Sequence, residues 1–240
     1  MDGLTVSGVV TAPKTFPISY RKDNDFNNVL HADVGSYCKS MNIEHVSITK
    51  GMKDANLLEK VKSWKPLLFI VAGWYHLLPK EWRDLAPAYG LHASLLPDYS
   101  GGAPLVWALI HGEKKTGITL FQMDAGVDSG PIVGQLEEVI HEDDTIATLY
   151  ERIEDKGLEL LRVQMPKLVS GKVELSDQDE SKRKTYPQRT EKDGEIDWTW
   201  DSTKIKDFIR AQTKPYPGAY FYIKGKKVII WDADVLPSRD

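Results

Sequence analysis

A continuous apolar run at residues 67–72 constrains the fold of this chain more than any other feature of its sequence. A short apolar run that ends at a glycine, here Gly73, is typical of a strand buried on both faces of a parallel sheet. Ligands of open α/β sheets collect beyond the carboxyl ends of such strands. The next residues, Trp74, Tyr75 and His76, are therefore candidates for a binding site.

Short β-branched runs alternate with helical patterns through the first two thirds of the chain. The alternation predicts strands at residues 6–10, 44–48, 67–72 and 116–123 and helices at residues 33–41, 54–64 and 101–110. After Asp143 and Asp144, a long helix is predicted from the apolar face formed by Ile146, Leu149, Tyr150, Ile153, Gly157, Leu160, Leu161 and Leu168. This order indicates an α/β fold with a Rossmann-like, mainly parallel sheet flanked by helices.

The sequence changes character after the long helix. Residues 176–194 are polar and charged, which predicts a surface linker. Beyond them, residues 203–212 predict a helix, and residues 219–223 and 226–231 predict a β-hairpin around a Lys-Gly turn. We therefore expect a main domain at residues 1–175, a linker at 176–194 and a small C-terminal subdomain, a helix plus a hairpin, at 195–240.

Composition argues against several classes of protein. The 31 basic and 35 acidic side chains give a formal charge of −4 at pH 7, without the basic excess that a nucleic-acid backbone attracts. Cys38 is the single cysteine, and no Cys/His cluster has metal-ligand spacing, so we expect neither an internal disulfide nor a metal site. The apolar segments are too short to span a membrane and no signal-peptide pattern is present, so we expect a cytoplasmic protein.

Two segments carry the residue types that acid–base chemistry needs. His92 lies at the end of a predicted strand, and Asp124 and Asp128 lie in a loop flanked by glycines. Histidine exchanges protons near neutral pH, and an adjacent carboxylate favours its charged form. The residues alone leave two interpretations open: His92 belongs to an acid–base pair, or it is a hydrogen-bonded histidine that closes a strand.

The run LHASLLPDYSGGAPLVWALIHGEKKTGITLFQMDAGVDSGPIVG, residues 91–134, resembles the signature of formyltransferases that use N10-formyltetrahydrofolate. It joins His92 and the following SLLP to a GxxxTGIT strand and a DxGxDSG loop, whose second aspartate lies 36 residues after the histidine. The stretches KDGEIDWTW and FIRAQTKPYPGAYFYIKGKKVIIW resemble the C-terminal junction of the same family. The resemblance implies the formyltransferase fold, with residues 1–175 as the catalytic domain.

The resemblance also implies roles for individual residues. His92 is the histidine that helps an acceptor amine attack the formyl carbon, and Asp128 is the carboxylate that tunes its charge. Backbone groups in three segments match the family's folate-binding segments: Trp74, Tyr75 and His76; Ser94, Leu95, Leu96 and Pro97; and Asp124, Ala125, Gly126 and Val127. Trp74 is either a wall of the pterin slot or a core or rim tryptophan. Ser94 lacks a GxSxG context, so we interpret it as a turn hydroxyl rather than a nucleophile.

This sequence departs from the family pattern at two places. The family usually carries an asparagine two residues before the histidine, where its amide stabilises the oxyanion, and here that residue is Gly90. Loss of one oxyanion donor typically costs roughly a hundredfold in rate, so either another donor substitutes or catalysis is weak. The family's first strand, in the middle of the sheet, has no counterpart here. We expect either that Met1 is internal to a longer natural chain or that a neighbouring segment fills the gap.

The resemblance leaves the acceptor to be decided. A methionyl-tRNA formyltransferase should present a large C-terminal barrel and basic surfaces. Here only 22 residues follow Gly218, and residues 11–25 are mixed in charge. We predict a nucleotide-linked amino sugar of surface polysaccharide biosynthesis as acceptor, with no tRNA or membrane partner. A methionyl-tRNA formyltransferase and a catalytically impaired folate-binding relative are the alternatives. The exposed hairpin could also form a homodimer interface through Tyr220, Tyr222, Ile229 and Trp231.

Overall fold

The computed structural model describes residues 4–16 and 26–237. Met1 and residues 17–25, part of the segment with mixed charge, lie outside the described residues. The strands are β1 (Val9–Thr11), β2 (Thr15–Phe16), β3 (Phe26–Asn27), β4 (His45–Ser47), β5 (Phe69–Ala72), β6 (Ala88–His92), β7 (Ser100–Gly101), β8 (Lys115–Gln122), β9 (Ile132–Val139), β10 (Thr185–Tyr186), β11 (Ala219–Ile223) and β12 (Lys226–Ile230). The helices are α1 (Val34–Ser40), α2 (Ala55–Ser63), α3 (Lys80–Leu85), α4 (Pro104–Ile110), α5 (Ile146–Val169) and α6 (Ser202–Arg210).

The central sheet has the strand order β5-β6-β8-β9. Strands β5 and β6 are parallel, whereas β6–β8 and β8–β9 are antiparallel. Strands β1 and β4 form a separate parallel pair. The predicted α/β class with parallel strands and flanking helices is confirmed. The antiparallel pairing lies in the second half of the fold, where the connection between β8 and β9 is too short for a parallel crossover.

The larger hydrophobic cluster is built by α4, β8, α5 and α6. The predicted apolar face of the long helix is buried in it, at Ile146, Leu149, Ile153, Leu160 and Leu168. Thr145 caps this helix, and its side chain accepts a hydrogen bond from the Thr148 N–H. Because one face of the helix is apolar and its first turn is capped, α5 forms a rigid support behind β8 and β9.

A smaller hydrophobic cluster lies under the N-terminal elements. Its buried members come from α2, α3, β6 and the loops around them: Ile48, Met52, Leu57, Val61, Leu78, Trp82 and Ala88. The Trp82 indole Nε1–H donates to the Met52 carbonyl oxygen at 3.1 Å. The N-terminal βα units therefore have a core that is separate from the one under α4 and α5.

A groove separates the pair β1–β4 from the central sheet. Strand β5 is half-buried, with Ala72 exposed, so the prediction that it is buried on both faces is wrong. Both β1 and β5 line the groove, and no strand lies between them among the described residues. The strand predicted at residues 6–10 is observed at Val9–Thr11, because its partner β4 offers only three residues for pairing.

The polar segment after α5 contacts the main domain. Strand β10 within it pairs in parallel with β7. The predicted hairpin is present as β11 and β12, with the turn at Lys224 and Gly225 in left-handed backbone conformations. The division into residues 1–175, 176–194 and 195–240 stays a prediction. Within residues 4–16 and 26–237, no helix has the length and apolarity needed to cross a membrane.

Candidate active site

His92 ends strand β6 and is 9% exposed. Its Nε2 lies 2.8 Å from the carbonyl oxygen of Tyr99. Since a carbonyl oxygen only accepts hydrogen bonds, Nε2 carries a proton and donates it to this contact. Its Nδ1 lies 3.6 Å from Oδ2 of Asp128. One ring nitrogen is therefore fixed by the backbone, and the other faces a carboxylate.

Asp128 reaches His92 from a loop that connects β8 to β9. Its backbone is left-handed, with φ of 53°, a conformation that aspartate tolerates better than most residues. Oδ2 accepts a hydrogen bond from the Gly101 N–H at 2.8 Å. Gly101 has φ of +91°, and a Cβ there would overlap the Tyr186 carbonyl oxygen. The glycine is needed for the backbone to approach both Asp128 and β10.

Two side chains from the segment after α5 hold the Asp128 loop. Gln178 Nε2 donates to the carbonyl oxygens of Asp128, at 2.8 Å, and Gly130, at 2.7 Å. Arg183 donates to the Asp128 carbonyl oxygen at 3.3 Å and to Gln178 Oε1 at 3.0 Å. Sequence reasoning missed both residues, because they lie 50 and 55 positions from Asp128 in a segment without a motif.

The segment of Ser94, Leu95, Leu96 and Pro97 is anchored by strands β8 and β9. Thr119 Oγ1 donates to the Ser94 carbonyl oxygen at 2.6 Å and accepts from the Leu96 N–H at 3.2 Å. Gln135 Nε2 donates to the Leu96 carbonyl oxygen and to Thr119 Oγ1, each at 2.9 Å. The sequence motif contains Thr119, but neither its role nor that of Gln135 was predicted.

The Ser94 hydroxyl donates to the Asp98 carbonyl oxygen at 2.7 Å, and Ser94 is 1% exposed. This contact closes a turn. The N–H of Leu96 and the carbonyl oxygens of Ser94 and Leu96 are also engaged within the protein. These hydrogen bonds position the segment, so a ligand would have to bind the backbone groups of the segment that they do not use.

The segment of Asp124, Ala125, Gly126 and Val127 is exposed. Asp124 Oδ1 accepts hydrogen bonds from the Gly126 N–H and the Ser129 hydroxyl, each at 2.8 Å. The aspartate therefore shapes its own loop, as turn aspartates do. The backbone that precedes Asp128 is left facing solvent beside the His92–Asp128 pair, where a ligand has access to it.

Trp74, Tyr75 and His76 follow β5, whose last residue, Ala72, pairs with Leu91 beside His92. The ring centroids of Trp74 and His76 are 5.5 Å apart. His76 Nε2 is buried and has no hydrogen-bond partner among the described residues, and burial lowers the pKa of this histidine. Trp74 packs against the smaller hydrophobic cluster. No hydrogen bond in the described residues joins Trp74 or His76 to His92 or Asp128.

Gly90 faces Phe121 across the β6–β8 ladder. A Cβ built on Gly90 would lie 2.9 Å from the Phe121 ring and 3.4 Å from Met123. Phe121 is 3% exposed, so its ring is packed in place. The position where the family usually carries an oxyanion-stabilising asparagine is therefore filled by an aromatic ring.

The backbone carbonyl oxygen of Tyr99 accepts the hydrogen bond from His92 Nε2–H, and the Tyr99 side chain is itself held by several contacts. Its hydroxyl donates to Glu113 at 2.7 Å and lies 3.0 Å from His111 Nδ1, and its ring stacks on Tyr186 at 4.8 Å. Burial and the Glu113 carboxylate raise the pKa of the Tyr99 phenol, which therefore stays protonated. Sequence reasoning had not singled out Tyr99.

The fold is shared with solved formyltransferases. A sugar N-formyltransferase from Shewanella sp FDAARGOS_354 superposes with a TM-score of 0.69 at 21% identity, covering 84% of this chain and 82% of that one. Methionyl-tRNA formyltransferase from Clostridium thermocellum gives a TM-score of 0.66 at 22% identity, covering 96% and 94%.

HypX from Aquifex aeolicus, solved in complex with tetrahydrofolic acid, gives a TM-score of 0.68 at 19% identity. The match covers 93% of this chain but only 37% of HypX. The chain therefore spans well under half the length of that protein, and the remainder of HypX has no counterpart in it.

Sequence comparison assigns both parts of the chain. Residues 25–164 match the model of the formyl transferase family, and residues 189–240 match the C-terminal domain of formyl transferases. The described residues contain no group of three or more His, Cys, Asp or Glu side chains arranged to hold a metal ion. Because the first match spans more than half of the chain and includes His92 and Asp128, the protein belongs to the formyl transferase family.

Proposed function

We propose that this protein transfers a formyl group from N10-formyltetrahydrofolate to a primary amine. The observation that carries the proposal is the buried His92, with one nitrogen donating to Tyr99 and the other 3.6 Å from the Asp128 carboxylate. Membership of the formyl transferase family supports it. So does the structural similarity to HypX, which was solved with tetrahydrofolic acid.

The pair provides the proton transfer that the reaction requires. The donor supplies a formyl carbon bound to nitrogen. When an amine attacks that carbon, a proton must leave the amine and another must reach the departing nitrogen. Nδ1 of His92 takes the first proton, while Nε2 keeps its proton and its hydrogen bond to the Tyr99 carbonyl oxygen. The Asp128 carboxylate stabilises the resulting imidazolium. The same Nδ1 proton then serves the departing nitrogen.

We propose that the folate is held by three segments, at residues 74–76, 94–97 and 124–127, and the contacts of two of them support this. The exposed backbone of Asp124 to Val127 lies directly before Asp128. The Trp74–His76 segment provides aromatic rings and the Nε2 of His76, which has no hydrogen-bond partner in the part of the chain that the structure describes. A buried polar atom without a partner is costly, and a hydrogen bond from a bound ligand would remove that cost. The two segments therefore offer both stacking and polar contacts to a heteroaromatic ring.

We further propose that the acceptor is a nucleotide-linked amino sugar and that the reaction belongs to surface polysaccharide biosynthesis in the cytoplasm. The formal charge of −4 favours a small acceptor over tRNA, because binding of a tRNA backbone is driven by basic side chains. The similarity to a sugar N-formyltransferase over most of both chains is in line with this choice. The comparable similarity to a methionyl-tRNA formyltransferase keeps tRNA as the competing acceptor.

The first experiment measures binding of 5-formyltetrahydrofolate, a stable analogue of the donor, by calorimetry. The second measures formyl transfer from N10-formyltetrahydrofolate to a panel of nucleotide-linked amino sugars and to initiator methionyl-tRNA. We expect His92→Gln and Asp128→Asn to lower kcat/KM at least about a hundredfold, the usual contribution of acid–base catalysis. His141→Gln, at an exposed histidine outside the pair, is the matched control and should keep full activity.

Each outcome separates the alternatives. Wild-type turnover by the His92→Gln variant would refute the acid–base assignment. Analogue binding without transfer to any acceptor would favour a folate-binding relative without catalysis. Transfer to methionyl-tRNA and not to amino sugars would overturn the acceptor class and leave the formyl transfer intact.

A further inference from the structure

Residues 99–101 hold both members of the His92–Asp128 pair through their backbone. The Tyr99 carbonyl oxygen accepts from His92 Nε2 at 2.8 Å, and the Gly101 N–H donates to Asp128 Oδ2 at 2.8 Å. One short stretch of main chain therefore positions both the ring and the carboxylate. A displacement of this stretch would change the 3.6 Å separation between His92 Nδ1 and Asp128 Oδ2.

The backbone of Tyr99 has a left-handed conformation, with φ of 55°. This conformation is uncommon for a residue with a bulky side chain, because the side chain crowds the backbone. Strained backbone of this kind persists only where surrounding contacts hold it, and it concentrates at functional sites. The contacts that hold Tyr99 therefore also hold the carbonyl oxygen that faces His92.

Pairing with β10 does not supply those contacts. The N–H groups of Ser100 and Gly102 donate to main-chain carbonyl oxygens in and beside β10, at 3.0 and 2.8 Å. The Tyr99 N–H instead donates to the carboxylate of the preceding residue, Asp98, at 2.9 Å. Strand β10 thus fixes the residues that follow Tyr99 but does not bond to Tyr99 through its backbone.

The side chain of Tyr99 makes the contacts that hold this residue in place. The buried ring stacks on Tyr186, with centroids 4.8 Å apart. The hydroxyl donates its one proton to Glu113 at 2.7 Å, so His111 Nδ1, which lies 3.0 Å away, is the donor in the second contact. The side chain is therefore bound by three parts of the chain: the end of α4, the loop before β8, and β10.

We infer that Tyr99 is a positioning residue of the active site and that Glu113 acts through it. The Tyr99 side chain holds the carbonyl oxygen that keeps the His92 proton on Nε2, because the hydrogen bond of one ring nitrogen decides which tautomer is present. Nδ1 is then left to exchange the reacting proton. The expected effect on turnover rests on the proposed formyl transfer, whereas the effect on the tautomer does not.

Nuclear magnetic resonance spectra that correlate the ring protons and ring nitrogens of histidine test the inference in the full chain. Such spectra distinguish an Nε2–H ring from an Nδ1–H ring. At about pH 9, where histidine in water is neutral, we expect His92 of the wild type in the Nε2–H form. Tyr99→Phe and Glu113→Ala should show both tautomers in exchange, with the two ring-nitrogen shifts moving towards each other.

Two variants are the matched controls. Glu113→Gln keeps an oxygen that can accept from the Tyr99 hydroxyl, so it should keep the wild-type spectrum. Tyr220→Phe removes the hydroxyl of another buried tyrosine, which donates to the Lys192 carbonyl oxygen at 3.2 Å and is not part of this network. It should also keep the wild-type spectrum of His92.

The formyl transfer assay gives a second readout. Tyr99→Phe and Glu113→Ala should lower kcat about tenfold with little change in donor KM, since a small displacement of an acid–base group slows the reaction. Glu113→Gln should keep a kcat close to that of the wild type.

Two results would overturn the inference. A wild-type spectrum in both Tyr99→Phe and Glu113→Ala would show that the hydroxyl serves stability alone, and if Tyr99→Phe does not fold, the comparison of Glu113→Ala with Glu113→Gln decides. An Nδ1–H ring in the wild type would show that the Tyr99 carbonyl oxygen does not set the tautomer. Failure of the proposed function is a different result, in which the tautomer responds as expected but the wild type transfers no formyl group to any acceptor.

Discussion

Gly90 determines how the oxyanion position can be tested. Gly90→Asn introduces the residue that the family usually carries, but its Cβ would lie 2.9 Å from the packed Phe121 ring. We expect the variant to lose about 1 to 3 kcal/mol of stability, the usual cost of overpacking, and to gain no activity. Urea unfolding followed by fluorescence, together with the formyl transfer assay, checks both.

The double variant Gly90→Asn with Phe121→Ala removes the obstructing ring. If overpacking causes the loss, the cost of Gly90→Asn should be smaller in the Phe121→Ala background, and the double-mutant cycle gives this coupling directly. Equal costs in the two backgrounds would show that Phe121 is not the obstacle. Restored turnover in the double variant would identify the amide as the missing oxyanion donor.

His76 should make the protein less stable in mild acid. Burial lowers the pKa of His76 in the folded state, so the unfolded chain takes up a proton first as the pH falls. Its contribution to stability is complete above about pH 6.5, the ordinary histidine pKa, and is lost as the pH falls below it. We expect His76→Phe to flatten the fall in unfolding free energy between pH 8 and pH 5.5.

Burial also lowers the pKa of His111. The unfolding free energy of the His76→Phe variant should therefore still fall with decreasing pH, but less steeply than that of the wild type. His31→Phe makes the same substitution at a histidine elsewhere in the fold and is the matched control. An identical pH dependence in wild type and His76→Phe would contradict the prediction.

An acid–base role for His92 and Asp128 could be proposed from sequence because residue type and local motif point to it. Their supporting contacts were not. Thr119 and Gln135 hold the Ser94–Pro97 segment through hydrogen bonds between residues 16 to 39 positions apart. Such contacts depend on the register of β6, β8 and β9, and polar side chains of this kind occur everywhere on protein surfaces. The His92–Asp128 pair could therefore be proposed from sequence, whereas the residues that position it could be found only from the fold.

Among the elements, the segment after α5 has the clearest consequence for the proposed reaction. Gln178 binds the carbonyl oxygens on both sides of Ser129, so it sets the position of Asp128 without touching His92. We expect Gln178→Ala to lower kcat roughly tenfold to a hundredfold, since small displacements of a catalytic group are costly, with little change in donor KM. Steady-state kinetics and urea unfolding measure the two effects separately.

Gln178→Asn is the conservative variant. It keeps the amide but shortens the side chain, so the amide nitrogen should no longer reach both carbonyl oxygens. Asp177→Asn, one residue earlier, changes charge without removing this contact and is the control. A loss of stability in Gln178→Ala with unchanged kcat would assign Gln178 a structural role only.

The start of α5 depends on a buried ion pair. Asp144 is 4% exposed and binds the Arg152 guanidinium at 2.7 and 2.6 Å. Burial alone would raise the pKa of Asp144, but the contacts from Arg152, the His141 N–H and the Thr148 hydroxyl lower it to about 2. We expect Asp144→Asn to cost about 1 to 3 kcal/mol at pH 7, because Arg152 loses its two charged contacts with Asp144 but keeps the one with Glu138 at 2.9 Å.

The pH dependence of that cost has a definite sign. An aspartate whose pKa is lower in the folded than in the unfolded state stabilises the fold at pH values above its unfolded pKa of about 3.9. This contribution is lost as the pH falls towards the folded pKa of about 2. The difference between wild type and Asp144→Asn should therefore shrink below pH 4. Unfolding curves in urea at pH 7 and pH 3 test this, and a constant difference would contradict it.

Helices were more predictable than the sheet. The predicted helices at 33–41, 54–64 and 203–212 are observed within two residues of their bounds, because aspartate caps at Asp33, Asp54 and Asp201 mark their first turns. Strand β9 and the pairing of β10 with β7 were not predicted. Strand β9, with the sequence IVGQLEEV, does not alternate apolar with polar residues, and β10 is two residues long, so neither has a strong local pattern.

At the scale of the whole molecule, the two hydrophobic clusters divide the stability of the protein unequally. The larger cluster joins α4, β8, α5, α6 and β11, so the C-terminal residues belong to the same core as the long helix. The smaller cluster supports β4 and α2, and among the described residues no strand lies between β1 and β5. Local patterns along the chain do not contain this division, because it depends on which elements meet in space.

This division predicts the order in which the protein opens. Amide hydrogens of β1, β4 and α1 should exchange through openings that cost at least about 2 kcal/mol less free energy than the openings of β6, β8 and α5. The reason is that few apolar contacts hold these N-terminal elements and that, among the described residues, one edge of β1 is unpaired. Native-state hydrogen exchange at increasing urea measures both groups, and a single common opening energy would contradict the prediction. His92 lies on β6 and Asp128 follows β8, so formyl transfer activity should be lost only when β6, β8 and α5 open. The proposed His92–Asp128 pair should therefore survive opening of the N-terminal units, whereas the proposed folate segment after β5 lies at the boundary and should loosen first.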